Sequence, residues 1–266
     1  MEFVVLVKQV PDTTEVKIDP KTGTLIRDGV PSILNPFDQF ALEEALRLRE
    51  KIKDKIETNV TVISMGPPQA KSAIMKCLAL GADKGILLSD RAFAGADTWA
   101  TSYTLAEAVK KLGKYDIVFC GQQAIDGDTA QVGPEVAQLL GIPQITYVDS
   151  ILDFQNGKLT ARSLTDDGYR IIEAKLPVLL TCSTPSSFEP SNPSMASILK
   201  ANKKPFLTWT ADNLGGDKSR FGLSGSPTQV SRVYSPPVRG KGVVYKENIE
   251  EAVKKVVEGI MEKKVI

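Results

Sequence analysis

The residues best placed to do chemistry form one run, Cys120-Gly121-Gln122-Gln123-Ala124-Ile125-Asp126-Gly127-Asp128-Thr129-Ala130-Gln131-Val132-Gly133-Pro134. It follows an apolar stretch that reads as a buried strand and opens an amphipathic one that reads as a helix. Such a turn presents backbone N–H groups and the positive end of a helix dipole, which together bind phosphate. In a parallel sheet it lies at the carboxyl end of a strand, where ligands collect. The run is neither G-x-G-x-x-G nor a P-loop, so by itself it points to an anionic nucleotide without identifying one. A plainer reading stays open, with Asp128 or Thr129 as a helix N-cap and Gly121 and Gly127 as turn glycines. Two carboxylates, Asp126 and Asp128, would repel a pyrophosphate in a semi-buried site, so they are expected to point away from it or toward ribose hydroxyls. Calcium would need about six to eight oxygen ligands, and no further acidic cluster stands at suitable spacing.

Missing residue types restrict the chemistry as much. The 266 residues include no histidine, which excludes histidine general bases, Ser–His and Cys–His nucleophiles, and histidine-held zinc or haem. Cys77, Cys120 and Cys182 are widely spaced with no C-x-x-C, so neither a disulfide framework nor a zinc or iron–sulfur ligand set is legible, and a cytoplasmic setting is expected. Lysine and arginine total 33 against 32 acidic residues, a balance that carries no footprint for nucleic acid or an anionic membrane. The N-terminus lacks the basic region and cleavage site of a signal peptide, and no apolar run approaches the ~20 residues of a membrane span.

The elements that must position the run follow from periodicity. Residues 3–7, 60–65, 85–88 and 116–120 read as buried strands with helical stretches between the last three, which predicts a parallel βαβ sheet. The first helix is predicted with Asn35 as its cap, Pro36 at N1, Asp38 in the positive first turn, and Phe37, Ala41, Ala45, Leu48, Ile52 and Ile56 on one face. Further helices are predicted over 69–80, over 98–112, and from near Thr129 to Gly141. Residues 9–34, with Lys21-Thr22-Gly23 and Asp28-Gly29, look like a hairpin. The strand ends Leu6-Val7-Lys8 and Met65-Gly66-Pro67-Pro68, and the helix start Asn35-Pro36-Phe37-Asp38, would wall the same crevice as the 120–134 run. Taken singly each reads as a plain terminus; together they enclose a site.

After residue 147 the pattern changes. Gln155-Asn156-Gly157 and Asp166-Asp167-Gly168 punctuate an antiparallel meander, followed by a buried strand over 177–182. A proline-punctuated loop over 184–205 leads into a short basic helix. Residues 211–246 show no sustained periodicity and precede a helix over 247–261 with apolar Ile249, Val253, Val256, Val257 and Ile260. Together these read as an arm that packs on something else.

Five segments, Val7-Lys8-Gln9-Val10-Pro11-Asp12, Asn35-Pro36-Phe37-Asp38 with Glu43-Glu44-Ala45-Leu46-Arg47-Leu48, Met65-Gly66-Pro67, Leu80-Gly81-Ala82-Asp83 and Gly121 through Asp128, carry a resemblance. In this order and spacing the chain resembles the beta subunits of electron transfer flavoproteins, from Met1 to the terminal helix. The resemblance implies a doubly wound, Rossmann-like, adenine-nucleotide-binding parallel sheet with an antiparallel extension and a C-terminal arm. It divides the chain into a nucleotide- or flavin-binding domain (1–183), a partner-recognition loop and helix (184–205) and an arm reaching over an FAD-carrying alpha subunit (206–266).

Within that family the crevice holds AMP in subunits that only shuttle electrons and a second FAD in electron-bifurcating ones. The stretch from Asp126 to Pro134 resembles the bifurcating and FixA-like group, which implies FAD, with AMP as the alternative; the small Gly127 and Ala130 leave room for the larger ligand. By resemblance, Leu6, Asn35, Pro36, Phe37, Asp38, Met65, Gly121, Gln122, Gln123, Ala124, Ile125, Asp126, Gly127, Asp128, Thr129, Ala130, Gln131 and Val132 match nucleotide-contacting positions, and Met195 matches a partner-docking one. The implied function is transfer of electrons from NADH toward ferredoxin or flavodoxin and, through the alpha-subunit FAD, to an acyl-CoA or other flavin dehydrogenase. The alternatives are a one-path carrier holding AMP and a stand-alone adenine-nucleotide module, the latter having no use for a long arm.

Overall fold

Central parallel strands are covered on both faces and therefore read as continuous apolar runs, and such runs build the middle of the sheet in the computed structural model, which describes residues 1–12, 31–231, 242–246 and 248–262. In chain order the elements are β1 (Glu2–Leu6), β2 (Gln9–Pro11), β3 (Ser32–Leu34), α1 (Pro36–Ile52), β4 (Asn59–Met65), α2 (Lys71–Leu80), β5 (Lys84–Leu88), α3 (Thr98–Lys111), β6 (Ile117–Gly121) and α4 (Val132–Leu140). There follow β7 (Gln144–Gln155), β8 (Lys158–Thr165), β9 (Gly168–Lys175), β10 (Val178–Cys182), α5 (Met195–Ala201), β11 (Phe206–Trp209), α6 (Ala211–Leu214) and α7 (Ile249–Glu262).

Nine strands form one sheet in the order β11-β5-β4-β1-β6-β10-β7-β8-β9. Pairing is parallel from β11 through β7 and antiparallel only at β7–β8 and β8–β9. From β1 the chain moves outward to β4 and β5, then returns to lay β6 on the opposite side of β1, so the strand order reverses between β1 and β6. Phe3 and Val5 of β1 join one core with Phe40 and Ala45 of α1 and Ile74 and Cys77 of α2. Val4 and Leu6 join the other with Leu105 and Val109 of α3 and Val136 and Ala137 of α4. The sheet is doubly wound, as the resemblance implies.

Several expectations change. The hairpin expected over 9–34 shows its base, the antiparallel β2–β3 pair with Gln9 opposite Leu34; its tip, with Lys21-Thr22-Gly23 and Asp28-Gly29, lies outside the described residues. The helix expected near Thr129 starts at Val132, with Gln131 as N-cap and no side-chain cap bond. Asp128 and Ala130 take positive φ, 54° each, so neither Asp128 nor Thr129 caps the helix and the loop extends to Gln131. The stretch after 211, expected to lack a core of its own, begins by packing on this chain. Ala211 and Leu214 of α6 are buried in the core beside α3, and Phe221 inserts beside Phe93 and Tyr103 at ring distances of 5.2 and 5.5 Å; just before them, β11 pairs with β5 at the sheet edge.

Candidate functional site

At the switch point the two central strands part. The N–H of Val7 donates to the Ile63 carbonyl at 2.9 Å, continuing β1 toward β4, while the N–H of Gln122 donates to the Cys182 carbonyl at 2.8 Å, continuing β6 toward β10. A gap between diverging strand ends is where ligands sit in open α/β sheets, and the start of α1 reaches into this one.

Asp38 spans it. Oδ2 accepts the Lys8 N–H at 2.7 Å from the β1 side and Oδ1 accepts the Gly121 N–H at 3.0 Å from the β6 side. The side chain is almost fully buried, and burial pushes its pKa up to about 7 against the opposing pull of the Lys8 N–H, the Asn35 amide and the Gly121 N–H. Gly121 is required by this approach: a Cβ there would lie 2.4 Å from Asp38 Oδ1 and 2.6 Å from Phe37 Cβ.

Asn35 precedes α1 and Pro36 occupies its first turn, as predicted, but the Asn35 side chain makes no cap bond. Fully buried, it turns to the 121–131 loop instead, donating from Nδ2 to the Gln123 carbonyl at 2.9 Å and accepting the Ile125 N–H on Oδ1 at 3.3 Å. The capping role expected from its position is displaced by a loop-holding one, because an asparagine can present a donor and an acceptor to one peptide segment at once.

The outer part of the loop turns on itself through Gly127 and Asp128 N–H bonds to the Ala124 carbonyl. Beyond it, the N–H groups of Thr129, Ala130, Gln131, Val132 and Gly133 have no acceptor among the described residues. The acidic groups nearby are engaged elsewhere. Asp126 pairs with Lys8 at 2.7 Å, Asp128 accepts from the Gln123 side-chain amide, and Glu135 in the first turn of α4 accepts from Ser102 at 2.8 Å and Thr98 at 3.2 Å. A Cβ built on Gly127 would meet nothing within 4 Å, and the Gln122 Oε1 atom is buried without a partner. The loop thus combines, among the described residues, free N–H donors and open space beside a helix start, features suited to a phosphate-bearing ligand, while the Gln122 oxygen can accept only from a donor such as a hydroxyl or N–H.

Of the positions singled out in the sequence, Asn35, Asp38, Gly121, Gln123, Ile125 and Asp126 are joined by direct hydrogen bonds or through Lys8. Phe37 touches the Gly121 position, and Leu6 ends β1 with its side chain buried under α3 and α4. Met65 ends the neighbouring strand β4. Met195 belongs to another region, the first residue of α5, which packs on α2. Lys8, expected as part of a strand end walling the crevice though not among the nucleotide-contacting positions, lies at the carboxyl end of β1 and reaches Asp126. Ser191, whose N–H and hydroxyl donate to Glu43 at 3.0 and 2.8 Å, left no trace in the sequence, because its partner is 148 residues away.

The model of the electron transfer flavoprotein domain matches residues 22–214. The chain is 53% identical to the electron transfer flavoprotein subunit beta of Clostridium acetobutylicum over 262 residues, 98% of each chain. It is 48% identical to the caffeyl-CoA reductase-Etf complex subunit CarD of Acetobacterium woodii, over the whole of both chains. With Protein FixA of Bradyrhizobium diazoefficiens the identity is 41% over 98% of this chain and 91% of that protein. A doubly wound sheet whose switch point carries an open, donor-rich loop, together with similarity along its full length, means that this chain belongs to the electron transfer flavoprotein family, among the beta subunits and their CarD and FixA relatives.

Proposed function

We propose that this chain holds FAD in the crevice between β1 and β6 and serves as the bifurcating subunit of an electron-transfer complex. NADH is its electron donor and ferredoxin or flavodoxin one acceptor; the other branch runs through the FAD of an alpha subunit to an acyl-CoA or other flavin dehydrogenase. Family membership carries the electron-transfer role and the expectation of an alpha-subunit partner. CarD is named for a caffeyl-CoA reductase-Etf complex, which favours an acyl-CoA-type dehydrogenase downstream.

The observation that carries the FAD reading is the stretch 127–133, with room at Gly127 and five consecutive N–H groups lacking acceptors among the described residues. A bound flavin supplies the hydride and one-electron chemistry. The chain's residues bind and orient it. The N–H groups of 129–133 hold a diphosphate where the loop has no lysine or arginine, Asn35 keeps the loop at its distance, and Asp38 keeps the parted strand ends in register. In this reading residues 1–183 hold the nucleotide, Met195 within 184–205 docks the dehydrogenase, and 206–266 reach the alpha subunit.

The test is the absorption spectrum and nucleotide content of the chain purified with its alpha subunit. Two flavins per heterodimer are expected, and G127L should keep the wild-type melting temperature while losing most of the second flavin. One flavin plus AMP would select the one-path carrier, and full flavin retention by G127L would remove the loop from the site.

A further inference from the structure

Lys8 and Asp126 meet across the switch point, Nζ to Oδ1 at 2.7 Å, one from the end of β1 and the other from the loop after β6. We infer that this pair is an electrostatic latch: Asp126 holds the Lys8 ammonium beside the loop until the phosphate of an adenine nucleotide takes it over. The two residues thereby set how strongly the crevice prefers a charged nucleotide over its uncharged nucleoside. The inference rests on the nucleotide-binding reading above and adds the group that senses the ligand's charge.

Four observations carry it. Residues 120–134 contain no lysine or arginine, and among the described residues Lys8 is the cation paired with a carboxylate of that run. The Lys8 backbone is fixed, because its N–H is held by buried Asp38, while its ammonium rides on a four-carbon stem that swings freely. The pair is partly exposed, with 46% and 27% of the two side chains accessible, and exposed ion pairs of this kind shift an equilibrium by no more than about fivefold, so exchange of partner is cheap. Finally, Asp128 and Glu135 are hydrogen-bonded elsewhere, and Asp38, which also feels the Lys8 charge, is buried with its two oxygens on the Lys8 and Gly121 N–H groups, leaving Asp126 as the carboxylate that pairs with the ammonium.

A phosphate seated on the free N–H groups of 129–133 carries more charge than a carboxylate. It therefore draws the ammonium while Asp126 returns to water, and no ion pair is lost in the exchange. Asp126 thus competes with the ligand for Lys8 and repels its charge, and both effects vanish for a ligand without charge.

Calorimetric titration of the heterodimer, freed of bound nucleotide, with ADP, AMP and adenosine tests this. D126N should bind ADP about threefold tighter and K8M about tenfold weaker. Adenosine should bind all three proteins equally. The D126N gain should shrink at high salt and disappear in the K8M background. If D126N weakens ADP and adenosine alike, Asp126 holds the ribose and the latch is wrong; unchanged ADP affinity in K8M also overturns it while leaving the nucleotide site standing. Failure of the wild-type heterodimer to bind either ADP or adenosine would remove the nucleotide site, and the latch with it.

Discussion

Asp38 concentrates the tension of the site in one carboxyl. Two peptide N–H groups favour its charged form, burial opposes it, and burial prevails, leaving the pKa near 7. Because the unfolded value is close to 4, the native state holds its proton more tightly than the unfolded one across the interval between. The stability owed to this group is thus fully present below about pH 4 and is lost as pH rises toward about 7. The loss is at most on the order of 4 kcal/mol, at about 1.4 kcal/mol per pKa unit. Asparagine at this position does not titrate, but it turns one amide N–H toward a backbone donor. The stability difference between wild type and D38N should therefore move in favour of D38N as pH is raised from 4 to 8 in urea unfolding; a difference that stays flat would mean the group does not titrate in that range.

Among the elements, α5 turns its large apolar residues outward. Met195, Ile198 and Leu199 would pack inward if the helix were a plain core element, but Met195 is 74% exposed, Leu199 64% and Ile198 39%. Ser194 caps the helix by accepting the Ser197 N–H. The preceding loop is fastened to α1 through Ser191 and Glu43 and by the Phe40–Phe188 edge contact at 5.0 Å. An exposed apolar group on a fastened base suits transient docking, where one or two anchors dominate the energy. Truncation in M195A should cost less than about 0.5 kcal/mol of stability while slowing electron delivery to the dehydrogenase about fivefold or more. Stopped-flow reduction of the flavin by NADH should be unchanged in the same variant, and parallel losses in both rates would show a general defect rather than a docking one.

For the whole molecule, the unfinished part is the C-terminal helix. Ile249, Val253, Val256, Val257 and Met261 of α7 are all exposed, and no described residue of α7 is buried. A helix whose apolar stripe faces water needs a partner surface to be stable, and membership among the beta subunits implies an alpha-subunit partner. Expressed alone, the chain should therefore be poorly soluble or self-associating by size-exclusion chromatography and light scattering, and monodisperse at the 1:1 mass when co-expressed. A stable monomer that bound nucleotide without any partner would instead favour the stand-alone module.

The doubly wound strand order came from the resemblance; the parallel strands and the meander are legible because they rest on short-range signals: apolar runs for β1, β4, β5 and β6, glycine stops after α2 and α4, and the Asn-Gly and Asp-Gly turns of the β7–β9 meander. Each is set by residues close in sequence, so periodicity and turn chemistry suffice. The position of the 121–131 loop is legible for the same reason, since a loop between a strand's carboxyl end and a helix start is a topological fact. What the site residues touch is not. Asn35 has the type and place of a cap, yet it binds a loop some ninety residues away; Asp38 sits in a helix first turn, yet its partners are the ends of two strands. Lys8 finds Asp126 across 118 residues, and β11 joins the sheet only because the edge of β5 is free to receive it. A polar side chain offers its donors and acceptors to whatever backbone the fold brings within about 3 Å, and that choice is made by packing in three dimensions.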